Sequence, residues 1–438
     1  MSRARDVLVV GGILLVFMAI ADWRFRHPGP SKWLASDVND HLGAEYDEIA
    51  RAIRAGRGFA DPFCEPSGPT AWMAPVLPYV LAGLYWVTGD DRELVIELVL
   101  VIKYLVLLLT GAIITRESQR LGRIWLGYGV FVVGLAAHFH GMFQRTHDEW
   151  LLLLVVDGLW LGIVQWWAGP ASLLKAALWG GFGGFAALCS PVAGATWAVL
   201  TMIRWMPRGF ERSLSFHEGL RKGAPLLVAA LCSITVVLPW TVRNRVMLGA
   251  WIPIKSNAVY EAWQSQCLDD DGALDAKTFA RHPWQRPGPQ RKEYLEAGEL
   301  DFVASKWPEL RRSVLKDPLG FCDRVANRFL VATLWYQPSS HEKRGASWIV
   351  ALKRAIFLMP FASVVLVLCL RRQPLEKQVL AAALIYGVFL LPYILISYYE
   401  RYALPLVGIK MLLVMYGLDT LLRRMSSLFG AKAVKTGE

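Results

Sequence analysis

The stretch LVIELVLVIKYLVLLLTGAIIT (Leu94–Thr115) runs directly into RESQRLGR (Arg116–Arg123). A helix needs roughly 20 consecutive, mostly apolar residues to cross the hydrocarbon core of a bilayer, and the first stretch is that long. Short cytoplasmic loops are enriched in Lys and Arg, so the arginines of the second stretch place the end of this helix on the inner side. The apolar and the basic stretch together predict a transmembrane helix whose C-terminal end lies on the inner side. The direction of the other spans follows from this helix.

The composition of the whole chain also indicates a membrane protein. Of its 438 residues, 55% are hydrophobic, and the mean hydropathy is +0.35, which is unusually apolar for a soluble domain. The net charge of +11 is explained by inner loops that follow the positive-inside rule. Nucleic acid is not an expected partner, because binding it requires a basic face on a soluble domain, and no basic run of that kind occurs.

A threading with ten spans places every dense Arg/Lys cluster on one side of the membrane. The apolar run that follows Arg3 and Arg5 lacks a small-residue cleavage site, so we expect a retained signal anchor. The spans are expected at about residues 6–22, 94–115, 124–140, 150–168, 173–190, 192–206, 223–241, 350–370, 378–397 and 403–422. The sequence thus predicts an all-α polytopic membrane protein with about ten transmembrane helices and additional helices at the outer surface.

The run WMAPVLPYVLAGLYWV (Trp72–Val87) is the ambiguous one, because it is apolar but short and contains Pro75 and Pro78. If it crossed the membrane, the basic loop after Thr115 would lie outside. We therefore expect an interfacial or re-entrant helix, with eleven spans as the alternative. The chain then forms one transmembrane domain over residues 1–430 with a cytoplasmic tail over 431–438, and its two large outer segments are 23–93 and 242–346.

A carboxylate-rich amphipathic helix is expected in the first outer segment, at HLGAEYDEIARAIRAGRGF (His41–Phe59). At about 100° per residue, Glu45 borders the apolar stripe, whereas Asp47 lies on the opposite face. A carboxylate next to lipid is costly unless it has a partner or a function. Glu45 is therefore either a side chain that points into a protein cavity or a solvated flank paired with Lys or Arg. The stripe itself consists of Leu42, Tyr46, Ile49 and Ile53.

Several segments, in this order, resemble the GT-C glycosyltransferases that use polyprenyl-phosphate sugars, the superfamily of protein O-mannosyltransferases and lipid A aminoarabinose transferases. GAEYDEIARAIRAGRGFADPF (Gly43–Phe63) and GPTAWMAPVLPYVLAGLYWVTG (Gly68–Gly89) are similar to the first outer loop of that superfamily. Later similarities are LPWTVRNRVMLGAWIPIKSN (Leu238–Asn257), EYLEAGELDFVASKW (Glu293–Trp307), DPLGFCDRVANRFLVATLW (Asp317–Trp335) and YYERYALPL (Tyr398–Leu406). The resemblance implies a GT-C-like bundle.

The resemblance further implies a membrane glycosyltransferase. Its donor would be a polyprenyl-phosphate sugar, and its acceptor would be a protein, a lipid or a polysaccharide at the outer face of a bacterial inner membrane. Glu45 occupies the acidic position of the superfamily and is the expected base, with Asp40 as the alternative because many relatives carry Asp near this place. Asp148, at the start of the fourth span, matches a second acidic position; the alternative is an ordinary acid favoured by the helix dipole.

A phosphate leaving group implies cations at the lipid boundary. Arg401 matches the Arg of the superfamily and suits bidentate phosphate binding, unless it is an interfacial anchor paired with Glu400. Lys103 lies inside a span, where an ionisable residue is a functional candidate or the partner of an acid on a neighbouring span. Arg243 would bind phosphate or flank the membrane. The aromatic candidates for stacking on the sugar are Trp72 and Tyr46.

No cofactor is expected, and no metal is assigned. The acidic run LDDDGALD (Leu268–Asp275) is read as a loop, with a divalent-ion site as the alternative. His138, His140 and His147 are read as satisfied or solvated, because histidines at i and i+2 diverge on a helix. A disulfide among Cys64, Cys267 and Cys322 is left open.

Two other functions remain alternatives to the glycosyltransferase. One is a transporter or flippase of lipid-linked saccharides, which would favour inverted repeats and broken helices near the bilayer centre. The other is a non-catalytic membrane scaffold with the same fold. The sequence favours the transferase over the transporter, because the two halves of the chain are unlike and the ionisable groups cluster in the outer segments. The scaffold stays an alternative, because the residues around the acidic position depart from the pattern of the superfamily.

Overall fold

A computed structural model describes residues 2–26, 42–143, 146–169, 172–203, 216–269, 271–274, 276–285, 288–336, 347–370 and 374–435. Within these residues the regular secondary structure is helical. Isolated bridges join Ala60 to Pro69 and Ala273 to Tyr398.

The helices are α1 (Ser2–Arg26), α2 (Ala44–Arg54), α3 (Val76–Thr88), α4 (Arg92–Arg120), α5 (Ile124–Ala137), α6 (Phe139–Phe143), α7 (Glu149–Trp166), α8 (Leu173–Cys189), α9 (Pro191–Ile203), α10 (Phe216–Leu248), α11 (Ala258–Trp263), α12 (Ala276–Phe279), α13 (Pro289–Ala297), α14 (Glu299–Lys316), α15 (Pro318–Thr333), α16 (Ser347–Leu370), α17 (Lys377–Leu395) and α18 (Val407–Lys435). A π-helical turn (Gln264–Leu268) follows α11, and a 3₁₀ segment (Glu400–Leu406) precedes α18.

Seven helices in the described part of the chain are long and apolar enough to cross a membrane, as expected for a multi-pass membrane protein. They are Ala4–Trp23, Arg92–Arg120, Glu149–Trp166, Gly223–Leu248, Val350–Leu370, Lys377–Leu395 and Glu400–Ser427. Each coincides with one of the ten predicted spans. The other three predicted spans coincide with the shorter apolar helices α5, α8 and α9.

The ambiguous run after Trp72 forms α3, a helix of 13 residues. At 1.5 Å per residue it is about 20 Å long, and α9, which coincides with a predicted span, also has 13 residues, so the contacts of α3 carry the distinction and its length does not. α3 packs against α2, and the Tyr85 hydroxyl at its far end donates a hydrogen bond of 2.6 Å to Asp47 Oδ1. A short helix that packs against the surface helix α2 fits the interfacial interpretation.

The membrane helices pack most closely around α18 and between α8 and α10. α18 contacts α4, α5, α7, α16 and α17 and is the most buried of the long apolar helices. The pair α8 and α10 approaches at Gly180, where an added Cβ would lie 2.2 Å from the carbonyl oxygen of Ala229. Glycine is therefore required at this position, because any side chain would separate the two backbones.

The outer segments are joined by one buried carboxylate, Glu299, at the start of α14. It accepts hydrogen bonds from the Ala71 N–H at 2.9 Å, the Ser256 hydroxyl at 2.7 Å and the Tyr294 hydroxyl at 3.1 Å. The Thr70 hydroxyl donates to the same carboxylate. Because buried polar groups must be paired to avoid a desolvation penalty, Glu299 holds the first outer loop, the segment after α10 and α13 in one arrangement.

A buried guanidinium, Arg328 on α15, ties the outer helices to the membrane helix α17. Its Nε donates to the Ile394 carbonyl at 2.7 Å, and its Nη2 donates to the Leu395 carbonyl at 3.1 Å. Its Nη1 donates to the Ser265 hydroxyl in the π-helical turn at 3.0 Å. The last carbonyls of a helix lack partners within the helix, so Arg328 supplies donors to the C-terminal end of α17.

Candidate functional site

Glu45 lies in the first turn of α2, beside the loop that precedes α7. The helix begins after Gly43, whose φ of +70° favours glycine; an added Cβ there would lie 3.6 Å from the His147 ring. The Glu45 side chain is 17% exposed. Burial raises the pKa of its carboxyl above the ordinary value, and the charge of Asp148 acts in the same direction. A hydrogen bond from its own backbone and the charges of Arg401 and Lys255 act to lower the pKa.

Tyr46 connects α2 to Asp148. Its hydroxyl donates a hydrogen bond of 3.1 Å to Asp148 Oδ2, across 102 residues of sequence. Burial and the charge of Asp148 raise the pKa of Tyr46 well above its ordinary value, so the phenol stays protonated and remains a donor. Asp148 is the residue before α7, but its side chain makes no capping hydrogen bond. Its carboxylate therefore accepts from Tyr46 instead of from the first backbone N–H groups of α7.

Arg401 completes this group from the 3₁₀ segment before α18. It contacts His147 Nδ1 and interacts electrostatically with Asp148 and Glu149. Its buried Nε has no hydrogen-bond partner among the described residues. Three residues singled out from distant parts of the sequence, Glu45, Asp148 and Arg401, thus lie in one cluster, which holds a buried guanidinium N–H without a partner among the described residues.

The cluster also contains residues that the sequence did not single out. His282 Nε2 lies 3.7 Å from Glu45 Oε1. The Tyr402 hydroxyl donates to Glu261 Oε2 at 3.5 Å and the Tyr402 ring stacks on Tyr393 at 4.8 Å between centroids. His282 comes from RHPWQRPGPQ, which reads as a loop, and no periodic pattern in that loop marks it; Tyr402 is adjacent to the Arg401 element and could have been included with it.

Lys103 lies outside this cluster, in a buried ion pair between α4 and α7. Its side chain is 1% exposed, and Nζ lies 3.4 Å from Glu149 Oε1. Nζ also donates to the Gly141 carbonyl at 3.0 Å. This arrangement matches the alternative of a salt bridge to a neighbouring span, and it fixes the residue that follows Asp148.

Two of the expected binding residues, Arg243 and Trp72, have their side chains engaged by contacts within the protein. Arg243 donates from Nη1 to the Thr70 carbonyl and from Nη2 to the Phe59 carbonyl, both at 2.6 Å, so it anchors the first outer loop. Trp72 is 1% exposed and lies edge-on to Phe63 at 5.2 Å between ring centroids. As placed, its ring is inaccessible to a sugar.

The remaining predictions concern Asp40, metals and cysteines. Asp40 lies outside the described residues, as do Asp270 and Asp275 of the acidic run. In the part of the chain that the structure describes, no group of three or more His, Cys, Asp or Glu side chains is placed to hold a metal ion. All six cysteines are within the described residues and none is joined to another, so the disulfide left open by the sequence is not formed in this structure.

Comparisons with known protein families, with curated proteins and with solved structures find no match to this chain. The inference of function therefore rests on the geometry of the cluster and on the resemblance of the sequence segments.

Proposed function

We propose that the protein is a membrane glycosyltransferase of GT-C-like architecture, with about ten transmembrane helices. It moves a sugar from a polyprenyl-phosphate carrier to a protein, lipid or polysaccharide acceptor. The reaction takes place at the extracytoplasmic face of a bacterial inner membrane. The observation that carries the proposal is the cluster of Glu45, Asp148 and Arg401, because the residues that the resemblance assigns to base, second acid and phosphate ligand come together from three distant segments.

Glu45 is proposed as the general base. The acceptor hydroxyl or amine attacks the anomeric carbon, and its proton passes to the Glu45 carboxylate as the new bond forms. The bond from the anomeric carbon to the phosphate oxygen breaks, and the electron pair leaves with the polyprenyl phosphate. One carboxylate suffices for a single inverting displacement of this kind. The raised pKa of Glu45 makes it a stronger base than an exposed glutamate.

Arg401 is proposed as the ligand of the departing phosphate. Negative charge increases on the phosphate oxygens as the bond to the sugar breaks, and a guanidinium stabilises that charge with directed hydrogen bonds. Its unpartnered Nε supports this role. Asp148 keeps the guanidinium nearby through its charge, and through Tyr46 it fixes the helix that carries Glu45.

The test compares purified wild-type protein in nanodiscs with Glu45→Gln and with Glu48→Gln as a matched control on the same helix. Each is given a panel of radiolabelled polyprenyl-phosphate sugars, with membrane extract as acceptor, and transfer of label is measured. We expect transfer by the wild type and by Glu48→Gln, and a loss of at least 100-fold in Glu45→Gln with lipid binding retained. Unchanged transfer in Glu45→Gln would exclude it as the base. No transfer with any donor would favour the flippase or scaffold, which a lipid-scrambling assay then separates.

A further inference from the structure

His282 faces the proposed base from a different outer segment. Its Nε2 lies 3.7 Å from Glu45 Oε1, and the two side chains are 12% and 17% exposed. Burial lowers the pKa of His282 to about 4, so the imidazole is neutral near neutral pH. The contact is therefore between a neutral imidazole and a carboxylate and has no ion-pair character.

The backbone beside His282 determines which ring nitrogen carries the proton. The Trp284 N–H donates a hydrogen bond of 3.2 Å to His282 Nδ1. A nitrogen that accepts a hydrogen bond carries no proton, and a neutral imidazole has one proton to place. That proton must be on Nε2, which is the nitrogen that faces Glu45. The tautomer thus turns His282 into a hydrogen-bond donor directed at the carboxylate.

Aromatic rings hold the imidazole in this orientation. Phe63 and Tyr260 lie edge-on to it at 5.8 Å between ring centroids, and Trp72 lies edge-on at 6.2 Å. The titratable groups that face His282 are Glu45 on α2 and, on α11, Tyr260 and Glu261; the Glu261 charge acts to raise the pKa of His282. The ring therefore has little freedom to turn its donor away from Glu45.

We propose that His282 is the positioning residue of the base: its Nε2–H holds Glu45 Oε1, and the second carboxylate oxygen is left to take the proton of the acceptor. The inference rests on the proposed function for the identity of the base. The 3.7 Å separation exceeds the usual hydrogen-bond range of about 2.7–3.2 Å. We expect small rotations of the two side chains to bring these atoms within that range in the free protein, so the effect on Glu45 is measurable without substrate.

A donor to the carboxylate stabilises its charged form, so removing the donor raises the pKa of Glu45. His282→Phe keeps a ring among the aromatic side chains but has no donor. His282→Gln places an amide nitrogen where Nε2 lies, whereas the shorter amide of His282→Asn reaches only the position of Nδ1. If positioning depends on the donor at Nε2, Gln should rescue the function and both Asn and Phe should not.

The experiment measures the titration of Glu45 without any sugar donor. Dicyclohexylcarbodiimide reacts with protonated carboxyl groups, so its rate of reaction with Glu45, followed by peptide mass spectrometry against pH, reports the midpoint of the titration. We expect the midpoint to rise by about one pH unit in His282→Phe and His282→Asn and to stay within about 0.3 units of the wild type in His282→Gln. Equal midpoints in all four proteins, or equal rises in all three variants, would overturn the proposal.

The transfer assay supplies the second readout. We expect the acid limb of kcat/KM to move to higher pH in His282→Asn and to stay in place in His282→Gln. If His282→Phe does not fold, the comparison of His282→Gln with His282→Asn still tests the role of the donor at Nε2. Both variants are polar amides, and they differ in where the nitrogen lies. If the wild type transfers no sugar, the proposed function fails, while the carbodiimide titration still tests the contact between His282 and Glu45.

Discussion

At the scale of single residues, the ionisation of Glu45 is set by opposing influences. Burial raises the pKa of its carboxyl, and Arg401 and Lys255 counteract part of that effect. A buried carboxylate with no compensation would stay protonated and could not accept a proton. The two cations, together with a hydrogen bond from its own backbone, therefore favour the charged form that a base requires.

Lys255 provides a way to test this balance without removing a residue of the proposed reaction. A general base acts in its deprotonated form, so the rate rises as pH rises through the pKa of Glu45. In Lys255→Met one of the cations that lower this pKa is lost. We expect the acid limb of kcat/KM to move up by about half a pH unit, with the plateau retained. Lys292→Met, which removes an exposed lysine paired with Glu296, should leave the limb in place; equal shifts in both would contradict the prediction.

Glu299 is expected to be the most sensitive outer residue for stability. Glu299→Ala leaves the Ala71 N–H and the hydroxyls of Thr70, Ser256 and Tyr294 without their acceptor. Each buried unpaired donor costs roughly 1–3 kcal/mol, so we expect a loss of at least about 3 kcal/mol in the free energy of unfolding, measured by chemical denaturation in detergent. The exposed Glu296 is the control, because Glu296→Ala should change little. If Glu299→Ala lowered the free energy of unfolding no more than Glu296→Ala does, these hydrogen bonds would be dispensable for stability.

At the scale of elements, the hydrophobic pattern identified the helices well. Each of the ten predicted spans coincides with a helix, because apolar runs between charged loops have few alternatives in a membrane. Asp47 shows the limit of the method. The helical wheel places it on the face opposite the apolar stripe, yet it is 4% exposed because Tyr85 of α3 and Arg92 reach it. A helical wheel treats one helix alone and gives no information on a second helix that covers the polar face.

Arg328 should control the order of the C-terminal end of α17. Arg328→Met leaves the Ile394 and Leu395 carbonyls without their donors, and Arg328→Lys supplies one ammonium in place of a planar fork. We expect the free energy of unfolding to fall by about 2–4 kcal/mol in Arg328→Met and by less in Arg328→Lys. Hydrogen exchange of the peptide that contains residues 385–396 would check the order of this helix end. We expect faster exchange in Arg328→Met than in Arg328→Lys. Unchanged exchange in both variants would mean that α17 does not depend on Arg328.

At the scale of the whole molecule, the orientation in the membrane can be tested with two of its own thiols. Other parts of the protein leave Cys322 on α15 and Cys369 uncovered. The threading places Cys322 outside and Cys369 at the inner end of the span 350–370. We expect a membrane-impermeant maleimide to label Cys322 in intact cells and Cys369 after permeabilisation. Peptide mass spectrometry assigns the label to Cys322 itself, because Cys64 and Cys267 are also predicted to lie outside; burial raises the pKa of Cys267 and slows its reaction. Cys322→Ser should remove the labelled Cys322 peptide. Labelling of Cys369 in intact cells would show that the chain has the opposite orientation in the membrane.

The sequence located part of the candidate site. Glu45, Asp148 and Arg401 were singled out separately, and the fold brings them together. Arg243 and Trp72 were also singled out by residue type and position. In the fold, Arg243 donates to carbonyls of the first outer loop and Trp72 packs against Phe63, and the sequence alone does not reveal these partners. His282 was missed for the same reason, because its relation to Glu45 depends on how two distant outer segments pack.

The role of Glu299 in joining the outer segments also sets an order of events during biosynthesis. Ala71 and Glu299 are 228 residues apart, and at about 5–20 residues per second a ribosome needs roughly 10–45 seconds to make that length. Throughout that interval the first outer segment exists while the carboxylate that accepts its hydrogen bonds has not been synthesised. The segment that carries Glu45 therefore matures late, and a nascent chain that stalls before Glu299 leaves this segment open to proteolysis.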